Sequence, residues 1–102
     1  MPLDFTVLED DGRPGAIASL GARQHAALMA QARALGLPLL QRFGDFHEDA
    51  ELGAAELPGL ARELERVATA AADAEVVAGL HVLRAALERA QRLGKALVAL
   101  AD

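Results

Sequence analysis

The N-terminal segment from Leu3 to Leu8 constrains the fold more than any other stretch. Leu3, Phe5 and Val7 alternate with Asp4 and Thr6, the period-two pattern of a strand with one buried face. A strand without a partner leaves its backbone groups unpaired and is not stable alone, so a second strand is needed. Glu9-Asp10-Asp11-Gly12-Arg13-Pro14-Gly15 is a dense turn signal. Ala16-Ile17-Ala18 after it offers only a brief return strand. The other candidate lies at the far end of the chain. Ala96 to Ala101 is a continuous apolar run, set off from the preceding segment by Gly94-Lys95. We therefore expect the N- and C-terminal strands to pair in a small sheet. The alternative is an all-α bundle, in which the last run extends a helix past a tolerated glycine.

Between the two ends the periodicity is helical. His25, Leu28, Met29, Ala32 and Leu35 recur at three- and four-residue steps, and Ser19 is the candidate N-cap of that helix. Gly36-Leu37-Pro38 is a stop signal, with glycine suited to the left-handed position after the last turn. Pro38 then opens one short helical turn, which Gly44 closes. A second helix starts near Pro58. Its stripe is Leu57, Leu60, Ala61, Leu64, Val67, Ala68 and Ala71, and Arg62, Glu63, Glu65 and Arg66 are expected to face away. Asp73 is a candidate cap for the last helix, whose stripe is Val76, Leu80, Leu83, Leu87 and Ala90, with Gly94 at its end. The expected fold is α+β, with three main helices packed on a small sheet formed by the N- and C-terminal strands.

Length and composition narrow the function classes. The 102 residues are expected to form a single domain over 1–102. The net charge of -5 disfavours nucleic acid, where phosphate is bound mainly by Lys and Arg. The same charge suits attraction to a basic partner. With no Cys, disulfides and thiolate metal sites are excluded. No apolar run approaches the ~20 residues of a membrane span. The segment Met1-Pro2-Leu3-Asp4-Phe5 lacks the basic and apolar regions of a secretory signal, so a cytoplasmic location is expected. Abundant Ala, and Lys95 as the single lysine, point by association to a GC-rich bacterial source.

The candidate site is the stretch from Arg42 to Leu52, which holds Phe43, Asp45, Phe46, His47, Glu48, Asp49 and Glu51. Asp45, His47, Asp49, Glu51 and Glu56 fall at positions 1, 3, 5, 7 and 12 of a twelve-residue window, the ligand spacing of an EF-hand calcium loop. His47 is not a hard oxygen ligand, however, and Ala50 stands where the sharp turn needs Gly. Solvated loop acids, with Asp45 and Glu48 spaced as an N-cap pair, are the better reading. His25, His47 and His81 lie on three different segments without the close pairing of a metal motif. Ser19 is the only serine and lacks a nucleophile-elbow context. The glycines are scattered singly and there is no Walker-type lysine, so a nucleotide site is not indicated. No cofactor, metal or catalytic residue is assigned. Aromatics beside acids can form a partner-binding surface with an aromatic anchor and a charged rim. The competing reading buries Phe43 and Phe46 in the core, the ordinary fate of Phe.

Leu39-Leu40-Gln41-Arg42-Phe43-Gly44-Asp45-Phe46-His47-Glu48-Asp49-Ala50-Glu51-Leu52, followed by Glu56-Leu57-Pro58, resembles a group of small bacterial proteins. The closing Gly94-Lys95-Ala96-Leu97-Val98-Ala99-Leu100-Ala101-Asp102 resembles their C-terminal strand. Their build is similar to that of some immunity proteins that neutralise secreted toxins. The resemblance implies a cytoplasmic protein-binding module rather than an enzyme, and carries over no catalytic residue. The expected partner is a protein, basic in character, or a second copy of the chain. It is neither nucleic acid nor membrane. The alternative is a small metal-dependent protein or enzyme that uses the acids and His47 of the central stretch.

Overall fold

In the computed structural model, which describes residues 2–71 and 73–101, the two ends of the chain pair as expected. β1 (Leu3–Thr6) lies antiparallel to β4 (Leu97–Ala101), with Leu3 opposite Ala101 and Thr6 opposite Val98. The sheet is larger than the sequence suggested. β2 (Ala18–Leu20) flanks β1, and β3 (Ala50–Leu52) flanks β4, giving the order β2-β1-β4-β3. The helices are α1 (Ala22–Leu35), the single turn α2 (Pro38–Gln41), α3 (Leu57–Ala70) and α4 (Ala74–Leu93). A 3-10 turn at Ala54–Glu56 leads into α3. The fold is α+β, with three main helices as expected.

Two local assignments differ from the sequence reading. The return strand is Ala18–Leu20, two residues later than expected. Ser19 therefore lies inside a strand, where its hydroxyl donates to Asp4 Oδ1 at 2.7 Å. It does not cap α1. Gly21 takes the N-cap position, and its N–H donates to the side-chain oxygen of Gln24 at 3.2 Å. The other caps follow the expected chemistry. Asp73 accepts from the N–H of Glu75 at 2.7 Å. Gly36 and Gly94 both sit in the left-handed region after their helices, at φ 67° and 63°.

Strand alternation sorts the sheet into two faces. Leu3, Phe5, Leu20, Leu52, Leu97 and Ala99 point to one face and are fully buried. The helices supply the other half of that core. α4 touches three of the strands and has α1 and α3 packed on it. Leu28, Met29 and Ala32 come from α1, Leu57, Leu60, Leu64 and Val67 from α3, and Val76, Leu80, Leu83, Leu87 and Ala90 from α4. The helical stripes read from the sequence are thus the buried faces, with one exception.

That exception is Glu63, which is buried and does not face away. Its carboxylate accepts from the N–H groups of Leu39 at 3.1 Å and Leu40 at 2.8 Å. The first N–H groups of a helix have no intrahelical acceptor. α2 begins at Pro38 with Leu37 at its N-cap, and neither side chain can accept a hydrogen bond. The acceptor comes instead from α3, and its negative charge suits a helix N-terminus.

This packing sets the cost of two substitutions. Leu64→Ala, mid-stripe and buried, should lower unfolding free energy by about 2–5 kcal/mol, and a loss under about 1 kcal/mol in a denaturant titration would remove it from the core. Glu63→Ala should cost about 1–3 kcal/mol by leaving two N–H groups unpaired. Glu63→Gln, which keeps one acceptor oxygen, should cost less than Glu63→Ala in the same titration.

Candidate functional site

The stretch from Arg42 to Leu52 is part core, part turn and part strand. Phe43 is buried, and its ring meets Phe5 edge-on at 5.1 Å. It belongs to the core and contributes nothing to a surface, so the partner-contact role expected of it is not available. The Phe43 carbonyl accepts from His25 Nε2 on α1 at 2.7 Å. His25 is buried, as its place on the α1 stripe implies, and this backbone partner satisfies it. Phe46 is half-buried, with its ring 5.1 Å from that of His25 and 5.6 Å from that of exposed His47. Gly44 allows the tight turn out of α2. A Cβ there would stand 2.8 Å from the carbonyl oxygen of Gln41, closer than any ordinary contact.

The acids then divide by task. The Asp45 carboxylate accepts from the N–H of His47 at 2.8 Å, forming an Asx turn. No helix starts there, so Asp45 and Glu48 are not an N-cap pair. Asp49 accepts from the N–H of Ala101 at 2.8 Å, which continues the β3–β4 ladder past Ala50 opposite Ala99. The Glu56 carboxylate accepts from the N–H of Gly53 at 3.1 Å and pairs with Arg42. Arg42 also donates to the carbonyl of Glu51 at 2.9 Å, covering the free edge of β3. Glu48 and Glu51 are exposed, and neither carboxylate makes a hydrogen bond or ion pair among the described residues. Exposed pairs such as Arg42–Glu56 contribute at most about 1 kcal/mol.

This division explains why the calcium-loop spacing is not a calcium loop. Its carboxylates go to a turn, to a strand end, to a 3-10 turn and to solvent, not to one centre. Among the described residues no three His, Cys, Asp or Glu side chains come close enough to hold a metal ion. His25 is occupied inside the core, and His47 and His81 are exposed on separate elements. Among the described residues, the helices carry shallow surface depressions. One of about 340 Å³ is lined by Arg62, Glu65, Arg66 and Thr69 on α3. Another, of about 130 Å³, runs between α3 and α4 over Leu64 and Leu87. Neither includes Asp45, His47 or Asp49. Among the described residues no helix is long and apolar enough to cross a membrane.

Two participants were not legible as such in the sequence. β3 hides in Ala50-Glu51-Leu52, where three residues are too few for alternation to stand out. Glu63 sits three residues after Leu60, at the margin of the α3 stripe. The signal for it was the missing acceptor before α2. Compared with family models, curated proteins and solved structures, the chain gives no match in any of the three.

The His25–Phe43 bond should be what holds the stretch from behind. His25→Phe, which keeps a ring of similar size, should cost about 1–3 kcal/mol through the unpaired carbonyl. It should also shift the amide resonances of Phe43 to Phe46. A cost under about 0.5 kcal/mol with unmoved resonances would show that the bond holds nothing in place.

Proposed function

We propose that this chain is a protein-binding module that takes a basic protein partner on its central acidic stretch. The contact residues are Asp45, His47, Glu48, Asp49 and Glu51, with half-buried Phe46 at their base. In its sharpest form the module is a bacterial cytoplasmic immunity-type protein that neutralises a toxin. The ground for that form is the resemblance read from residues 39–52, 56–58 and 94–102 to small bacterial proteins whose build is similar to that of some immunity proteins.

One observation carries the reading. Glu48, Asp49 and Glu51 are exposed together, and no Lys or Arg side chain among the described residues pairs with them. The nearest cation, Arg42, is committed to Glu56 and to a backbone carbonyl. Neighbouring carboxylates repel, so the cluster adds little to folding. An oppositely charged partner would gain from it, in encounter rate above all. The backbone beneath is held by β3, α2 and His25, so the acids are displayed on a rigid support.

The test uses a basic protein captured from the native host and studied in stopped-flow association. The triple variant Glu48→Gln, Asp49→Asn, Glu51→Gln should keep nearly the same melting temperature, because an amide side chain at position 49 still offers an acceptor to the Ala101 N–H. Association should slow about tenfold or more and lose most of its salt dependence. Unchanged rates at every salt concentration would make the stretch a solvated loop and overturn the proposal.

A further inference from the structure

The sheet has a second face, opposite the one that carries Leu3, Phe5, Leu97 and Ala99 toward the helices; Thr6 and Val98 are buried at its middle, and its exposed apolar groups lie around them. Glu51, Val98 and Thr6 are opposite one another across β3, β4 and β1, and so point to one side. Leu100, Asp4 and Ser19 form the next row across β4, β1 and β2. The β1–β2 register carried one residue further puts Ile17 opposite Thr6, whose hydroxyl donates to the Ala16 carbonyl at 3.1 Å. Two positions beyond Thr6, Leu8 bridges Pro14. Ile17 is 54% exposed and Leu8 37% exposed. Buried Val98 and half-buried Leu100 continue the apolar strip along this face. Exposed large hydrophobics gathered on one face mark interaction sites more often than single ones do.

The margin of the strip is acidic. Asp4 and Glu51 lie in its rows, and Asp49, one residue before Ala50, falls beside Leu100. Arg42 borders that margin at Glu51 but is committed to Glu56 and to the Glu51 carbonyl, and among the described residues no Lys or Arg pairs with the carboxylates of Asp4, Asp49 or Glu51. Lys95 stands at the opposite end, where its ammonium donates to Asp10 at 2.7 Å. That bond holds the Asp10 carboxyl below its ordinary value and the Lys95 ammonium above its own.

We infer that this second face is the docking surface, and that its occupant is a basic protein segment with apolar side chains set between cations. The inference rests on the reading of the acidic stretch above and enlarges the site across β1 and β4. Charge complementarity selects the occupant. A second copy carries the same net charge of -5 and offers no surplus of cations to this margin. Like charges placed opposite oppose association. Arg42 covers the free edge of β3, so the partner lies across the face and does not extend the sheet on that side.

The probe is a short synthetic peptide alternating Lys and Leu, titrated into isotope-labelled protein and followed by NMR. A Glu–Leu and a Lys–Ser peptide are the controls. The Lys–Leu peptide should shift the amides of Thr6, Ile17, Leu100 and Glu51 and leave α3 unmoved. The double variant Leu8→Ser, Ile17→Ser should weaken it about tenfold, as the loss of two partly buried apolar contacts implies. Melting checks that the variant folds. Shifts confined to the helices, equal binding of the Glu–Leu peptide, or no binding by any peptide would overturn the inference. So would a dimer of the free protein that the double variant dissociates, since the face would then take a second copy. Weakening by the Glu48, Asp49 and Glu51 amide variant alone would overturn the face and leave the acidic-stretch reading standing. Weakening by the serine variant alone would overturn the basic occupant and that reading together.

Discussion

β4 pairs with β1 on one edge and with β3 on the other. A strand so placed has its backbone groups committed on both sides, and its alternation must suit two environments at once. Leu97 and Ala99 go to the helical layer and are fully buried. Val98 and Leu100 go to the opposite face. The last strand of the chain is therefore the spine of the sheet, and it joins the N-terminal hairpin to the central acidic stretch. The helical layer depends on the same strand, because its core packs on the face to which Leu97 and Ala99 contribute.

The acidic stretch is organised by that placement. Its first part is tied to the helices, through the Phe43 carbonyl on His25 and the Glu63 carboxylate on α2. Its last part is tied to the sheet, through β3 and through Asp49 on Ala101. Asp45 spends its carboxylate on the turn between them. Glu48 and Glu51 remain free among the described residues. A run of like charges that reads as one cluster is thus two populations, one holding the backbone and one displayed to solvent.

Much of this was legible in the sequence, for identifiable reasons. The β1–β4 pairing followed from one strand that needed a partner and one apolar run set off by glycine. The α3 and α4 stripes were legible because four or more bulky residues repeat at helical spacing. His25 was readable as a buried, satisfied histidine from its place on the α1 stripe. Ser19 misled because strand and cap positions both accept the same small hydroxyl, and only the Asp4 partner decides between them. Glu63 misled because a charge beside a stripe is normally solvated, and its two N–H partners are more than twenty residues away. Long-range polar pairing leaves almost no local signature.

The central claim is that the acidic stretch is a held platform and not a loose loop. Amide hydrogen exchange followed by NMR tests it most directly, because protection reports local opening. The Glu51 carbonyl points away from β4 toward Arg42, so the amides of Ala50 and Leu52 are the ones that face β4. They should be protected to the level of Val98 at the sheet centre, while the exposed Glu48 amide exchanges fast. Exchange at Ala50 and Leu52 as fast as at Glu48 would contradict the account.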